Sequence, residues 1–282
     1  MADSLAARQQ QYEEVSNIEL TRRLPVIIRC DGRGFHKFTS KLSRPFSPLL
    51  LDVMVQAMTY AVQEMPGAIF AYQQSDEITF VLRNDQTFDT EPWHQNKVQK
   101  LASASAALVT FGFNKALMQC DPKLSTVGDA LFDAKVFTLP YYNEVLNHLI
   151  WRQQDCIHNA VSAAASTELT KKIGKKTARK LVHNKSISEK VDLLRTNCKI
   201  EYNKHYPSPF RRGVLACKVP IAYPTKEGEV TRNKWIINSE IPIFSEDRDY
   251  IYNILINGRD VFRTGITNAE KANISSVDRS SS

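Results

Sequence analysis

The sequence predicts an α+β fold: a ferredoxin-like βαββαβ unit, with helices covering one face of an antiparallel sheet, followed by a mainly helical accessory region. Three observations predict it. Short β-branched runs bounded by Pro and Gly alternate with apolar stretches of helical spacing up to about residue 140. The order of those segments is β-α-β-β-α-β, which is the split βαβ arrangement. After Pro140 the periodicity becomes chiefly helical.

Each element has its own signal. "PVIIRCD" (25–31) is β-branched and flanked by Pro and Gly, so it reads as a strand. "FSPLLLDVMVQAMTYAVQEM" (46–65) repeats apolar residues at helical spacing after a Ser47-Pro48 start, and Pro66-Gly67 stops it. "AIFAYQQSDEITFVLRND" (68–85) reads as strand, tight turn, strand. A long helix rich in small residues covers 96–117, and "ALFDAKVFTLP" (130–140) is a fourth strand. Beyond it, 141–166 and about 186–198 read as helices, and 210–257 carries short strand-like runs without a legible order. This divides the chain into 1–140, which holds the candidate site, and an accessory region, 141–282.

Composition narrows the function. With 282 residues, 43% hydrophobic and 24% charged, the chain has ample material for a core. A net charge of +7, from 37 basic against 30 acidic side chains, suits a polyanionic partner if the charge is clustered. Five cysteines at no metal spacing fit reduced thiols in a cytoplasmic protein. The N-terminus has no apolar segment of signal-peptide type, and no uninterrupted apolar run is long enough to span a bilayer, so no membrane partner is expected. The tail "SSVDRSSS" reads as frayed. No Ser/His/Asp or Cys/His set is evident.

The chemistry gathers where topology joins two strand ends. In a split βαβ unit the first strand lies antiparallel beside the third, so Asp31, ending the first, meets Asp76 and Glu77, opening the third. Neighbouring strands are about 5 Å apart. Acids that close raise each other's pKa unless a cation intervenes, and Mg²⁺ prefers one or two carboxylates plus phosphate oxygens. Gly32 would turn its carbonyl or amide toward the same site, and Gly34 would let the backbone approach a phosphate. Arg33, His36 and Lys37 add donors suited to a triphosphate. Two metal ions so held could activate an attacking oxygen and stabilise a leaving pyrophosphate. Taken singly, an Asp-Gly is a turn, an Asp-Glu pair is a solvated hairpin, and His36 is structural. The combination carries the weight.

"DGRGFHKF", "QQSDEITFVL", "FDAKVFTLP" and "WRQQDC", in this order across roughly residues 24–195, resemble the tRNA(His) guanylyltransferase family, including its guanylyltransferase-like members. The resemblance implies a catalytic domain like a polymerase palm that adds nucleotides to the 5′ end of tRNA in the 3′-to-5′ direction. It implies two Mg²⁺ ions on Asp31, Asp76 and the Gly32 carbonyl, with Glu77 as the supporting acid. Asp31, Gly32, Arg33, Gly34, Phe35, His36, Ser75 and Asp76 would line the triphosphate site, with Lys37 a further donor beside them. ATP or GTP would activate a 5′-monophosphate, and the 3′-hydroxyl of an incoming GTP would attack it. A 5′-triphosphorylated RNA would skip the activation. The expected partners are tRNA, GTP and ATP, and the expected assembly is a homo-oligomer, commonly a tetramer in the family.

Two departures shape the expectation. After Cys156, eukaryotic members continue His-Ile-Asn-Asn-Leu-Tyr, whereas this chain reads Ile157-His158-Asn159-Ala160-Val161. That change is typical of the guanylyltransferase-like members and favours template-dependent repair of 5′-truncated tRNA over guanosine addition to tRNA(His). Gly34 stands where many members carry a larger side chain.

"KKIGKKTARKLVHNK" (171–185) holds seven Lys/Arg and no acid. Lys172, Lys175, Lys176 and Arg179, with Lys180, would form a helical stripe that neutralises RNA phosphates without reading sequence. Arg211-Arg212 is a weaker candidate. "WRQQDC" reads as a helix turn with Trp151 buried and Arg152 near Asp155. Two other readings remain: a palm-type nucleotidyl cyclase using the same metal site, and a non-enzymatic RNA-binding protein.

Overall fold

The computed structural model describes residues 4–125, 130–225 and 228–257; the "SSVDRSSS" tail lies outside them. In chain order the elements are α1 (Leu5–Glu14), β1 (Val26–Gly32), α2 (His36–Thr39), α3 (Pro48–Glu64), β2 (Ala68–Gln74), β3 (Glu77–Leu82) and α4 (Val98–Cys120). Then follow α5 (Pro122–Ser125), β4 (Phe132–Thr138), α6 (Tyr142–Ile173), α7 (Lys175–Val182) and α8 (Ile187–Leu193). The chain closes with α9 (Tyr202–His205), α10 (Ser208–Arg212), β5 (Val214–Thr225), β6 (Gly228–Asn238) and α11 (Arg248–Asn257). A short π-helical turn, Leu194–Cys198, continues α8.

The six strands form one antiparallel sheet in the order β4-β1-β3-β2-β5-β6. β1 lies between β3 and β4, antiparallel to both. The Ser47 side chain caps α3 by accepting from the Leu50 N–H at 3.2 Å, with Pro48 at the first helical position. The strand-like runs after residue 210 are β5 and β6. β5 pairs with β2, so the sheet continues past residue 140.

The helices of the βαββαβ unit, α3 and α4, cover one face as expected, and α6 and α11 of the accessory region cover the other. Val26, Ile28 and Cys30 point to α3 and α4 and share a core with Met54, Ala57, Phe80 and Phe113. Ile27 points the other way, with Phe70, Tyr72 and Val81, and packs under Val145 and Leu149 of α6 and Ile251 of α11. The reason is the period of two: alternate residues of these strands are apolar on both sides, so both sides require cover. α4 is long and apolar enough to cross a membrane by length and composition alone. Its Leu101, Val109 and Phe113 are nonetheless buried in the core. Among the described residues the cysteines are all free, with Cys30, Cys156 and Cys217 buried.

Candidate active site

The antiparallel register places Asp31 opposite Glu77 on β3, and the Gly32 N–H donates to the Asp76 carbonyl at 3.1 Å. The first strand's end therefore meets the third strand's start. A two-residue turn, Ser75–Asp76, joins β2 to β3, and Ser75 holds φ +49° to make it. Burial, and then the charge of Asp31, push the Asp76 carboxyl above its ordinary range. Two carboxylates thus converge at this point. A third acid, Asp133 on β4, sits opposite Asp31 from the other side. The sequence reading missed it, although pairing "FDAKVF" against "RCDG" in antiparallel register would have found it.

Glu77 differs from Asp31, Asp76 and Asp133 in being buried. Arg152 of α6 grips it with two hydrogen bonds, Nε to Oε1 at 2.7 Å and Nη2 to Oε2 at 3.0 Å. Arg29 Nε lies 3.7 Å from the same Oε2, and the Gln74 amide donates to Oε1 at 3.2 Å. The Arg152–Glu77 pair is buried and fastens α6 to the sheet; a bidentate charged pair is the form in which such burial is tolerated. Glu77 anchors the site's wall, and its oxygens are occupied by arginines.

The glycine turn is built on close contact. A side chain at Gly32 would put a Cβ 2.3 Å from the Phe35 ring, and Gly34 holds φ +64°. The Arg33 N–H donates to the Leu131 carbonyl at 2.8 Å, tying the turn to the β4 entry. Phe35 itself is buried against Phe38, Phe113 and Phe132, so its ring packs in the core and only its backbone is available to a ligand. Arg33, His36 and Lys37 are exposed.

A cavity of about 750 Å³ opens beside the acids. Of the expected residues Asp31, Ser75, Asp76 and Glu77 line it, and Gly32 to Lys37 do not. Its far wall is Leu50, Pro45 and the stacked pair Phe46–Phe210, with ring centroids 5.2 Å apart. Gln73 lines it too, buried, with an Oε1 that has no partner. Trp151 corrects the expectation of burial: it is 52% exposed, and its neighbour Arg152 is the buried residue. α6 is turned so that Arg152 meets Glu77, and this leaves the indole at the cavity wall. Arg152 and Asp155 are paired as expected, at 2.9 Å.

The basic segment is two helices, not one stripe. α6 ends at Ile173, and Gly174 separates it from α7. Lys172 belongs to α6 and donates to the Asn197 carbonyl. Lys175, Lys176, Arg179 and Lys180 lie on α7, all exposed. Arg211 donates to the Tyr206 carbonyl and Arg212 to the Ile241 carbonyl, so both brace the fold.

Comparison with known proteins gives the arrangement a family. The profile described as "Thg1: tRNAHis guanylyltransferase" matches residues 6–140. The tRNA(His) guanylyltransferase of Schizosaccharomyces pombe is 30% identical over 230 residues, covering 78% of this chain and 83% of that protein. Among solved structures, a bacterial tRNA(His) guanylyltransferase (Thg1)-like protein in complex with ATP superposes with a TM-score of 0.76 at 30% identity, over 90% of this chain and all of that one. A bacterial Thg1-like protein in complex with GTP gives 0.69 at 29% identity, with the same coverage. The profile match, the identity to the fission-yeast protein over most of both chains and the structural superposition over nearly the whole chain agree: this chain belongs to the Thg1 tRNA(His) guanylyltransferase family.

Proposed function

We propose that the chain extends the 5′ end of tRNA in the 3′-to-5′ direction. The 3′-hydroxyl of GTP attacks the 5′ phosphate of an end that ATP has adenylylated, releasing AMP, or of an end that already carries a triphosphate, releasing pyrophosphate. The favoured substrate is 5′-truncated tRNA, repaired against its template strand. One observation carries this reading: Asp31 at the end of β1 and Asp76 in the β2–β3 turn converge beside a cavity large enough for a nucleoside triphosphate, in a chain of this family.

Magnesium is the implied cofactor, and the residues fit it. Burial, and then the charge of Asp31, raise the pKa of the Asp76 carboxyl, and a divalent cation would oppose that shift. Mg²⁺ takes one or two carboxylates and completes its shell on phosphate. Asp31, Asp76 and the Gly32 carbonyl would hold two such ions, which would activate the attacking 3′-hydroxyl and neutralise the departing pyrophosphate.

The chain's own groups supply the rest. Phe46, Phe210 and Leu50 offer apolar walls to a base, and the free Gln73 Oε1 offers an acceptor to a base N–H. Lys175, Lys176, Arg179 and Lys180 offer four cations within one short helix to RNA phosphates. The βαββαβ unit, with acids where β1 ends and β3 begins, supports a palm-type assignment for this half.

Repair is favoured by Ile157 to Val161 in place of the eukaryotic run and by the likeness to bacterial Thg1-like proteins. The name of the fission-yeast relative favours guanosine addition to tRNA(His) as the second reading. The test is an extension assay with alpha-labelled GTP. It uses tRNA(His) without its extra guanosine, and a different tRNA lacking its first nucleotide, each with all four NTPs in turn. Template-matched label on the truncated tRNA supports repair; label confined to tRNA(His) supports the second reading. Label on neither RNA, with a cyclic nucleotide formed from GTP alone, would overturn both.

A further inference from the structure

We propose that the exposed indole of Trp151 is a stacking platform for a nucleobase beside Asp31 and Asp76, a reading that rests on the nucleotide chemistry proposed above. A half-exposed tryptophan on a helix is ordinarily loose. This one is fixed from behind. The Arg152 guanidinium lies 4.4 Å from the ring centroid. That guanidinium is itself held by Glu77 at 2.7 and 3.0 Å and by Asp155 at 2.9 Å. The His148 ring meets the indole at 5.5 Å and 60°, and Phe137 of β4 backs His148 at 5.4 Å. No other ring or cation contact to Trp151 occurs among the described residues.

Position separates Trp151 from the other exposed aromatics. Phe88, Phe111 and Tyr141 are at least as exposed, but none lines the cavity. Trp151 does, and Arg152, on which it rests, grips the register partner of Asp31. An aromatic ring held rigid before its ligand arrives loses little freedom when a base stacks on it. Stacking also accepts any base, because every base has a π-face. A platform indifferent to base identity suits a reaction in which a template strand chooses the nucleotide.

The base could arrive on a free nucleotide or at the 5′ end of the RNA, and the experiment separates them. Trp93→Phe with Trp235→Phe leaves Trp151 as the only tryptophan of three. Its fluorescence is then titrated with GTP, with ATP, with a ribose triphosphate that lacks a base, and with tRNA missing its 5′ nucleotide. Quenching by GTP or ATP assigns the platform to a free nucleotide, and quenching by the RNA alone assigns it to the 5′-terminal base. Equal quenching by the base-free triphosphate, or no quenching by any probe, overturns the platform.

Kinetics give a second arm. Trp151→Leu keeps bulk without a π-face and should raise KM for the stacked substrate about tenfold, while Trp151→Phe and Trp151→Tyr recover most of the loss. A Trp151→Leu protein whose KM stays within about twofold of wild type would refute the inference. If the wild-type protein transfers no label at all, the proposed function fails while the quenching still decides the platform.

Discussion

The strand β1 serves two different surfaces. Val26, Ile28 and Cys30 face α3 and α4, where Phe35, Phe80 and Phe113 close an interior without charge. Ile27, Arg29 and Asp31 face α6, and from Ile27 outward that surface turns from apolar to ionic. There Arg29, Glu77, Arg152 and Asp155 form a chain of opposite charges that ends at the cavity. One face secures the sheet by burial, and the other holds α6 with a salt bridge and leaves its outermost acid free. The contrast teaches that a strand's alternation can separate stability from chemistry residue by residue.

The largest expected effect falls on the open face. Asp31→Ala should lower the rate of guanylyl transfer on the order of 1,000-fold, the scale of losing one preorganised electrostatic contact. Asp31 is exposed, so thermal melting should hardly move. A variant that melts normally and keeps near-wild-type transfer would break the comparison, since the acid would then be a turn residue.

On stability the two faces should respond alike in size and differently in kind. Phe113→Ala opens a cavity in the closed face and should cost about 3–5 kcal/mol by denaturant unfolding. Arg152→Ala leaves the buried Glu77 only the Arg29 contact at 3.7 Å and the Gln74 amide, and should also cost about 3 kcal/mol. Replacing both Arg152 and Glu77 by apolar residues of similar volume should recover much of that loss without recovering transfer. No such rescue exists for Phe113. If the double replacement is as unstable as Arg152→Ala, the ionic face is held by something other than this pair.

A smaller effect is expected at the glycine turn between the faces. An added Cβ at Gly34 meets nothing within 4 Å, so Gly34→Ala acts through φ +64° alone. It should cost about 1–2 kcal/mol, read as a lower melting temperature. A neutral result would mean that the turn relaxes freely.

What the sequence made legible follows from distance along the chain. β1 to β4, α3 and α4 carry local periodicity and were readable to within a few residues. The approach of Asp31 to Asp76 was readable because a split βαβ unit dictates which strands touch. The pairing of β5 with β2 and the docking of α11 were not, because both depend on contacts made across more than a hundred residues. Trp151 was misread because hydrophobicity favoured burial, and only Glu77, distant in sequence, explains why the arginine went in instead. The basic stripe failed at Gly174, a helix break the spacing argument had run through.

The last difference between the faces is pH. His148 lies on α6 between Phe137 and Trp151, and its Nε2 is buried without a partner. Burial, then the positive charges of Arg152 and Arg29, lower its pKa to about 4 from an ordinary 6.5. The sign follows from proton counting. Between pH 6.5 and 4 the unfolded chain holds a proton on this imidazole and the folded chain does not, so folding stability falls as pH drops through that window. His148→Phe keeps a ring against Phe137 and removes the titration. It should therefore flatten the loss of stability between pH 6.5 and 4 while leaving the melting temperature at pH 8 nearly unchanged. The apolar face has no counterpart in this range, so Phe113→Ala should shift the whole profile down without changing its slope there. Melts across that range on the two variants would show parallel curves for one and a flattened curve for the other. A His148→Phe profile that stays parallel to wild type would mean that the imidazole is solvated and that the ionic face carries its pH dependence elsewhere.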